Sequence, residues 1–498
     1  MFEESEIMKI KKNSINQLSG MIILTLVTQV FLLVKNSIVA SNFGVSSDLD
    51  AFYFANTIGS FVYSFIGAGI STILMPKLAN NDNNKSINIF ITIIYTTALL
   101  ILIIMLIFKE SIVSILSGSN DSYFIIVSSN ILFATLIAGF LNSFVGLVSG
   151  VLEYKGQFLR LRLVTLFTSF LIVIILLLEK NMSIYYYTAV VLIITVVNVI
   201  INIYFLMKSG FKFNIDFNIK DNDFKLMMKL FVPTILSQGV YQTSIIIDTM
   251  ISSRLGEGQV SILNYSNTII GMVNVLVLSN ITAFVYPKLI RASKENKSQE
   301  KLSTYIFFIN TIMCIFLVLF FTIGREGISL LYERGNFTSE NTRVVYLCAL
   351  LYILSLPTNA IRDLIYKYFY INNDTLTPFN NSLIISILNI SISIILSKYL
   401  GLYGVILGTT IASFISLTLI TIKFKNKFGF KFDGKNFIKE NIKIVMITLL
   451  SLVVLFILKA NFPITNIFLN IITYGFFVIG IFVVLLLVSK SKIFNVKL

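Results

Sequence analysis

Residues 86–108 read SINIFITIIYTTALLILIIMLIF, a run of 23 positions without a charged side chain. A helix rises 1.5 Å per residue, so this run extends ~35 Å, enough to cross the ~30 Å hydrocarbon core of a bilayer. Transmembrane β-strands are only ~10 residues long and alternate in polarity. The run therefore predicts a transmembrane α-helix.

The rest of the chain has the same character. Of its 498 residues, 56% are hydrophobic and 13% are charged. Hydropathy and turn residues predict an all-α polytopic membrane protein with about fourteen transmembrane helices. The predicted spans lie near residues 18–41, 51–75, 87–108, 122–148, 161–178, 184–207, 228–252, 262–286, 303–323, 342–368, 380–397, 402–422, 442–459 and 466–488.

Basic residues are unevenly distributed between the predicted loops. With the N-terminus inside, thirty of the 39 Lys and Arg residues fall on the inner side and eight on the outer side. An excess of this kind is typical of cytoplasmic loops. It predicts a multi-pass protein of the cytoplasmic membrane with both termini cytoplasmic. The net charge of +15 is then explained by orientation and by contact with anionic inner-leaflet lipids, so we expect no nucleic-acid partner.

The residue types present exclude several kinds of catalytic site. The chain has no histidine, which removes histidine bases, histidine metal ligands and Ser-His-Asp triads. Cys314 and Cys348 both lie in apolar runs, so a disulfide framework is not expected. No phosphate-binding loop or dinucleotide fingerprint is found in the sequence. The sequence predicts a protein that is not an enzyme, has no metal site and requires no cofactor.

Two distant segments of the sequence resemble each other. ANTIGSFVYSFIGAGISTILMPKLA at 55–79 aligns with SNTIIGMVNVLVLSNITAFVYPKLI at 266–290 at a constant offset of 211 residues. The copies begin six spans apart, so the predicted halves have the same orientation, as in transporters built from parallel repeats. We expect an N-lobe at 1–215, a C-lobe at 216–430 and a two-helix extension at 431–498.

With this repeat and fourteen spans, the chain resembles the MurJ (MviN) branch of the multidrug/oligosaccharidyl-lipid/polysaccharide exporter superfamily. The resemblance covers most of residues 15–425. It rests on the segments NSIVASNFGVSSDLDAFYFA, IDTMISSRLGEGQVSILNYSNTI, LLYERGNFTSENT and FYINNDTLTP.

The resemblance implies a lipid II flippase of peptidoglycan biosynthesis. Such a protein carries an undecaprenyl-pyrophosphate-linked cell-wall precursor from the inner to the outer leaflet by alternating access. The sugar-diphosphate head would occupy a cationic cavity between the lobes. The lipid tail would follow a groove near the two extra spans.

The sequence departs from the family where arginines usually line that cavity. The aligned positions hold Gln29, Lys35, Tyr63 and Thr268, whereas Asp50 of the DAF motif is retained. Only Lys35 keeps a positive charge. The departures leave open whether the cargo is lipid II or another lipid-linked saccharide.

Lys35, inside the first span, is the principal candidate for substrate binding, together with the adjacent Asn36 and with Asp50. A buried cation is costly in a bilayer and commonly marks a ligand pathway. We expect Lys35 to contact a diphosphate in a water-filled cavity. The alternative is that its long stem carries the ammonium group to the outer headgroups.

Asp248 is the second intramembrane charge, and the repeat places it next to the counterpart of Lys35. We hypothesise that Lys35 and Asp248 face each other across the pseudo-twofold axis and pair in one conformation. Such a pair would bias the equilibrium between inward and outward states. The alternative is a local hydrogen bond from Asp248 to Ser or Thr hydroxyl groups.

Arg254, Asn56 and Asn267 complete the set of predicted substrate-binding residues. Arg254 would meet a departing head group at the outer mouth of span 7, or act only as an interfacial anchor. Asn56 and Asn267 are related by the repeat. They would contact sugars, or form the hydrogen bonds between helices that are the commoner use of Asn in membranes.

Three other functions compete with a lipid II flippase. One is a flippase for another lipid-linked polysaccharide unit. A second is a MATE-type cation-coupled drug antiporter, which Lys35 disfavours and Asp248 favours. A third is a membrane scaffold that transports nothing. The expected partners are a lipid-linked saccharide and membrane lipids, and the sequence leaves open whether membrane potential, sodium or protons supply the energy.

Overall fold

A computed structural model describes residues 2–79, 84–119, 121–179, 181–294, 297–372, 374–430 and 434–491. The regular structure in these ranges is helical throughout, as predicted. It comprises α1 Phe2–Phe43, α2 Ser47–Ala79, α3 Asn84–Ile107, α4 Lys109–Ser117, α5 Ser122–Tyr154, α6 Phe158–Leu178, α7 Ile184–Lys208, α8 Asn222–Ser253, α9 Gln259–Val273, α10 Ser279–Lys294, α11 Ser298–Tyr332, α12 Ser339–Ile353, α13 Leu356–Ile371, α14 Leu376–Leu400, α15 Leu402–Phe428, α16 Gly434–Asn461 and α17 Ile467–Val488. A π-helical segment, Asn274–Leu278, joins α9 to α10.

Twelve of the predicted spans are long and apolar enough to cross a membrane within the described residues. The other two, spans 2 and 7, lie on α2 and α8, which are 33 and 32 residues long and richer in polar side chains. The polytopic all-α fold is therefore confirmed. The count of fourteen membrane crossings stays a prediction.

The sequence repeat is matched by a repeat of helices. α2 begins at Ser47 and α9 begins at Gln259, which keeps the alignment of the two copies to within a residue. α5 has 33 residues, and its counterpart is the apolar segment Ser339–Ile371, also of 33 residues, formed by α12 and α13. The second copy is interrupted before Pro357, which occupies the first turn of α13, where a missing N–H is tolerated.

The first compact unit spans Met1–Ser261. In it α2 packs along α5, α1 packs on α6, and α7 packs on both α5 and α6. α8 packs on α2 and α3 and therefore belongs to this unit, although the repeat pairs it with α1. The predicted lobe boundary at residue 215 was drawn from the repeat and stays a prediction.

The second compact unit spans Ile262–Leu498 and is organised around α11, which contacts α12, α13, α16 and α17. The extension formed by α16 and α17 packs its aliphatic side chains against α11 in one apolar cluster. An ion pair of 2.7 Å between Lys459 and Glu326 joins the ends of α16 and α11. Within the described residues the extension thus packs mainly on α11.

The structure also shows two local features, one at the cysteines and one at the start of α12. Cys314 and Cys348 are free and buried. Thr338 is the N-cap of α12, and its hydroxyl oxygen accepts a hydrogen bond from the backbone N–H of Asn341 at 3.3 Å.

Candidate functional site

Lys35 lies on a half-buried face of α1. Thr28, seven residues earlier and therefore on the same face, is buried at 6% exposure. The lipid-accessible apolar side chains of α1 follow a different face, comprising Ile23, Val27, Val30 and Val34. The ammonium group of Lys35 makes no hydrogen bond or ion pair with any residue that the structure describes. Lys35 and the half-buried Asn36 are thus held away from the face that suits acyl chains.

Asp248 is buried in α8 at 7% exposure, one turn before Ser252, whose hydroxyl donates to the Asp248 carbonyl oxygen at 2.8 Å. Within the described ranges no ion pair joins Asp248 to Lys35. The hypothesis concerned one conformation of a moving protein, so pairing in another conformation stays a prediction.

Asp50 is occupied by contacts within the first unit. Its carboxylate accepts 2.6 Å hydrogen bonds from the backbone N–H of Gly258, the backbone N–H of Ser261 and the Ser261 hydroxyl. A carboxylate at the start of a helix is stabilised by unpaired N–H groups and by the helix dipole. Glu257 returns the contact by accepting from the backbone N–H of Ser47 at the start of α2, at 3.1 Å. Each of the two repeat-related helix starts therefore donates backbone hydrogen bonds to a carboxylate from the other. A substrate contact at Asp50 stays a prediction.

Arg254 is exposed and follows the last residue of α8. Its guanidinium donates to the carbonyl oxygen of Ser117 at 3.1 Å and to that of Leu116 at 3.4 Å, both in the last turn of α4. Cations at a helix C-terminus complement the unpaired carbonyls and the dipole. This contact supports the anchor alternative, and the predicted head-group contact remains untested.

The opposite end of α8 is also attached to the first unit. Asp221, its N-cap, accepts from the Ser86 hydroxyl at 2.9 Å. Lys77 lies 3.9 Å from Asp223. The hydrogen bond from the Phe224 backbone and that from Ser86 lower the pKa of Asp221 below its ordinary value, against the effect of burial. α8 is thus held at both ends.

Asn56 and Asn267 are both exposed, so neither is enclosed among helices. On α2, Asn56, Ser60 and Ser64 recur at every fourth position and form one polar face. Both predicted amides remain available to a ligand, which keeps the sugar-contact prediction open.

A polar groove of about 330 Å³ lies between α2 and α5 and was not predicted from the sequence. It is lined by Ser60, Tyr63, Ser64, Gly67, Gly139, Asn142, Ser143, Val145, Gly146 and Ser149. The available signal was the spacing of small residues on both helices, which in membranes indicates close helix packing. The helices approach closely at Gly67, because a Cβ there would lie 3.3 Å from the Ser143 carbonyl oxygen. Gly69 instead faces the ring of Phe231.

A second groove, of about 750 Å³, lies along the extension. Its walls are mostly aliphatic side chains of α16 and α17, and two lysines, Lys439 and Lys443, lie among its lining residues. Lys443 also pairs with Glu440 at 2.8 Å. The groove has the apolar character that the family resemblance implies for a lipid-tail path at this place.

In the second unit, the π-helical segment interrupts the span that holds Asn267 and Thr268. π-helical turns are rare and occur frequently at functional sites. The Asn274 side-chain oxygen in this segment and the Thr282 hydroxyl beyond it are both buried and make no hydrogen bond with described residues. The sequence pattern, which remains apolar through this region, gave no indication of the interruption.

This helical architecture, with charged and polar side chains inside its helices, is that of a multi-pass helical membrane protein. A solved structure of the lipid II flippase MurJ in an inward closed conformation matches with a TM-score of 0.78 and 23% identity, covering 93% of this chain and 97% of that one. An inward-facing MATE multidrug transporter matches with a TM-score of 0.65 and 15% identity over 80% of this chain and 94% of that one. At these identities the structures establish the fold alone.

The family follows from the sequence comparison. The family model described as lipid II flippase MurJ matches residues 39–484, and the chain belongs to this family.

Among similar proteins, the probable lipid II flippase MurJ of Buchnera aphidicola subsp. Baizongia pistaciae is 23% identical over 90% of each chain. That of Rickettsia prowazekii is 27% identical over 45% of each chain. That of Helicobacter pylori strain J99 is 26% identical over 56% of this chain and 65% of the relative. The chain thus spans about half to two thirds of the length of some of these relatives and nine tenths of another.

Proposed function

We propose that this protein is a flippase that moves an undecaprenyl-pyrophosphate-linked, lipid II-like cell-wall precursor from the inner to the outer leaflet by alternating access. The observation that carries the proposal is the position of Lys35. Lys35 is half-buried on a face of α1 different from the lipid-facing stripe, and no described acidic residue neutralises its charge. A cation in partly dehydrated surroundings binds phosphate oxygens through strong, charge-assisted hydrogen bonds.

The groove along α16 and α17 supports a lipid as the cargo. Its mostly aliphatic walls suit an isoprenoid chain, which would contact them by van der Waals packing within the bilayer. A soluble, tail-free cargo would have no use for it. The tail and the diphosphate are then recognised by different parts of the chain.

The proposed setting is the bacterial cytoplasmic membrane, with both termini cytoplasmic. The relatives are bacterial, and most basic residues fall on one side of the predicted spans. In this setting the precursor is loaded at the basic inner side and released at the outer side for peptidoglycan synthesis. The partners are the lipid-linked saccharide and membrane lipids, with no role for nucleic acid or a cofactor.

A MATE-type cation antiporter is the second candidate. The fold similarity to a MATE transporter and the buried carboxylate of Asp248 favour it, since such proteins bind cations through acidic groups. Lys35 opposes it by repelling a cation from the same unit. The two candidates therefore differ in the sign of the charge that the cargo carries.

Complementation of a bacterial strain depleted of its lipid II flippase tests the proposal. We expect the wild-type chain and Lys35→Arg to restore growth and Lys35→Gln to fail at equal membrane abundance. Loss of a charged hydrogen bond weakens binding by roughly ten- to hundredfold. Growth restored equally by Lys35→Gln would contradict the proposed role of the cation. Failure of the wild-type chain, with drug resistance conferred instead, would favour the antiporter.

A further inference from the structure

The groove between α2 and α5 is uncharged and rich in hydroxyl groups. None of the ten residues that line it carries a formal charge, and five of them, Ser60, Tyr63, Ser64, Ser143 and Ser149, bear a hydroxyl. Asn142 at its rim is exposed and adds an amide, which both donates and accepts hydrogen bonds. The serine hydroxyls already donate to carbonyl oxygens of their own helices, so they offer acceptors, and the Tyr63 hydroxyl and the Asn142 amide offer donors. A phosphate would find no cation here, whereas a neutral polar ligand would find both donors and acceptors.

The groove is held in a fixed shape by backbone contacts between the two helices. A Cβ added at Gly146 would lie 2.2 Å from the carbonyl oxygen of Gly67, and one added at Gly139 would lie 2.3 Å from that of Gly59. Helices in contact at two such points cannot slide past each other without losing both contacts. The hydroxyl groups beside these points are therefore held in place before any ligand arrives.

Tyr63 supplies the second, independent sign of a ligand. Its side chain is 2% exposed and its ring packs edge-on against Phe140. Tyr63 lines the groove, and its buried hydroxyl oxygen makes no hydrogen bond with any residue that the structure describes. A buried hydroxyl without a partner is destabilising, and such a group in a native structure requires an explanation.

We propose that this α2–α5 groove is a subsite for the neutral, polyhydroxylated part of the cargo, the saccharide attached to the diphosphate. The inference rests on the proposed function. It adds that Lys35 binds the diphosphate of the head group and that the groove binds its saccharide. The saccharide hydroxyls pair with Tyr63, with Asn142 and with the serines of α2. The same polar face continues one turn further to Asn56, which the sequence predicted as a sugar contact.

The unpaired hydroxyl of Tyr63 also predicts selectivity between lipids with and without a saccharide. A site with buried polar groups discriminates strongly against a ligand that leaves them unpaired. A diphosphate lipid that lacks its sugar would leave the Tyr63 hydroxyl without a partner, so the protein should prefer the sugar-bearing lipid. This preference can be measured separately from affinity for the diphosphate.

The test compares the dissociation constants of lipid II and of undecaprenyl pyrophosphate for the purified full-length chain in nanodiscs. We expect Tyr63→Phe, which keeps the ring, to lower the preference for the sugar-bearing lipid by about two- to tenfold. Asn142→Ala, at an exposed position that does not endanger folding, should do the same. Lys35→Gln should weaken both lipids and leave their ratio unchanged.

Tyr95→Phe is the matched control, because the Tyr95 hydroxyl already donates to the Ser143 carbonyl oxygen at 3.0 Å. The ratio of the two dissociation constants for this variant should equal the ratio for the wild type. An unchanged ratio in both Tyr63→Phe and Asn142→Ala would overturn the subsite while leaving the proposed flippase intact. A wild-type chain that binds neither lipid would overturn the proposed function and the subsite together.

Discussion

At the scale of single residues, Asp50 connects parts of the chain that are about two hundred residues apart. Both carboxylate oxygens accept hydrogen bonds, one from Gly258 and the other from Ser261. The side chain is only 2% exposed, so water cannot replace a lost partner. Asp50 therefore holds the start of α9 and the residue before it against α2.

We therefore expect Asp50→Asn to lower the thermal stability of the purified protein. The amide would turn its own N–H₂ donor toward a backbone N–H, leaving at least one buried group unpaired at a cost of ~1–3 kcal/mol. Asp48→Asn is the control, because the hydrogen bond between Asp48 and the Tyr123 hydroxyl is exposed to solvent. Equal melting temperatures for the two variants would contradict the buried-cap interpretation.

Asp374, in the connection between α13 and α14, gives a prediction for pH. Burial raises the pKa of its carboxyl, but hydrogen bonds from Lys427, at 2.6 Å, and from Thr377 outweigh burial and lower the pKa from 3.8 to about 2. A carboxyl whose pKa is lower in the folded state stabilises that state above its unfolded pKa. This stabilisation is lost as the pH falls from about 4 to about 2.

Thermal unfolding of the wild type and of Asp374→Asn, recorded between pH 6 and pH 2, checks this expectation. The two melting temperatures should differ at pH 6 and converge at the acidic end. A constant difference across the range would show that the Asp374 carboxylate does not carry the effect.

The residue scale also shows where sequence reasoning ends. Lys35 stood out because a charge inside an apolar run is costly. The partners of Asp50 and of Arg254 are not local, so they depend on packing that no short pattern encodes. The resemblance marked Tyr63 only as a position where an arginine is usual, and the structure is needed to show that this residue lines a groove.

At the scale of helices, the pair α2 and α5 depends on glycine. The carbonyl oxygen and Cα of Gly67 lie so close to Gly146 that a Cβ there would be 2.2 and 2.4 Å from them. Backbone atoms cannot turn aside as a flexible side chain can. The two helices must separate if a methyl group is introduced.

We expect Gly146→Ala to destabilise the protein by roughly 3 kcal/mol or more, because overpacking against backbone has no local relief. Gly480→Ala is the matched control, since that glycine lies exposed in α17 with no atom within 4 Å of the added Cβ. Folded yield and melting temperature in detergent distinguish the two. A Gly146→Ala protein as stable as Gly480→Ala would contradict the close approach.

The presence of each helix was easier to predict from the sequence than the points at which a helix is interrupted. The apolar runs are long, so each predicted span coincides with a helix or a pair of helices. The break between α12 and α13 has a local cause in Pro357. The π-helical turn at Asn274–Leu278 has no equivalent marker, and the attachment of α8 to the first unit follows from tertiary contacts rather than from the repeat.

At the scale of the whole molecule, the distribution of charge determines the predicted orientation. The segment from Lys208 to Lys229, around the loop between α7 and α8, holds five lysines, whereas the loop between α11 and α12 holds one arginine and one glutamate. Lysine-rich loops are retained on the cytoplasmic side during insertion. The two loops should therefore lie on opposite sides of the membrane.

Cysteine labelling in intact cells tests this orientation. Cys314 and Cys348 are buried and free, so they give a low background. We expect Asn336→Cys, at an exposed position between α11 and α12, to react with a membrane-impermeant maleimide added outside. Asn218→Cys, exposed between α7 and α8, should react only after the cells are opened. The opposite pattern would reverse the topology and place Lys35 on the inner half of its span, where it would meet a diphosphate on entry and not on release.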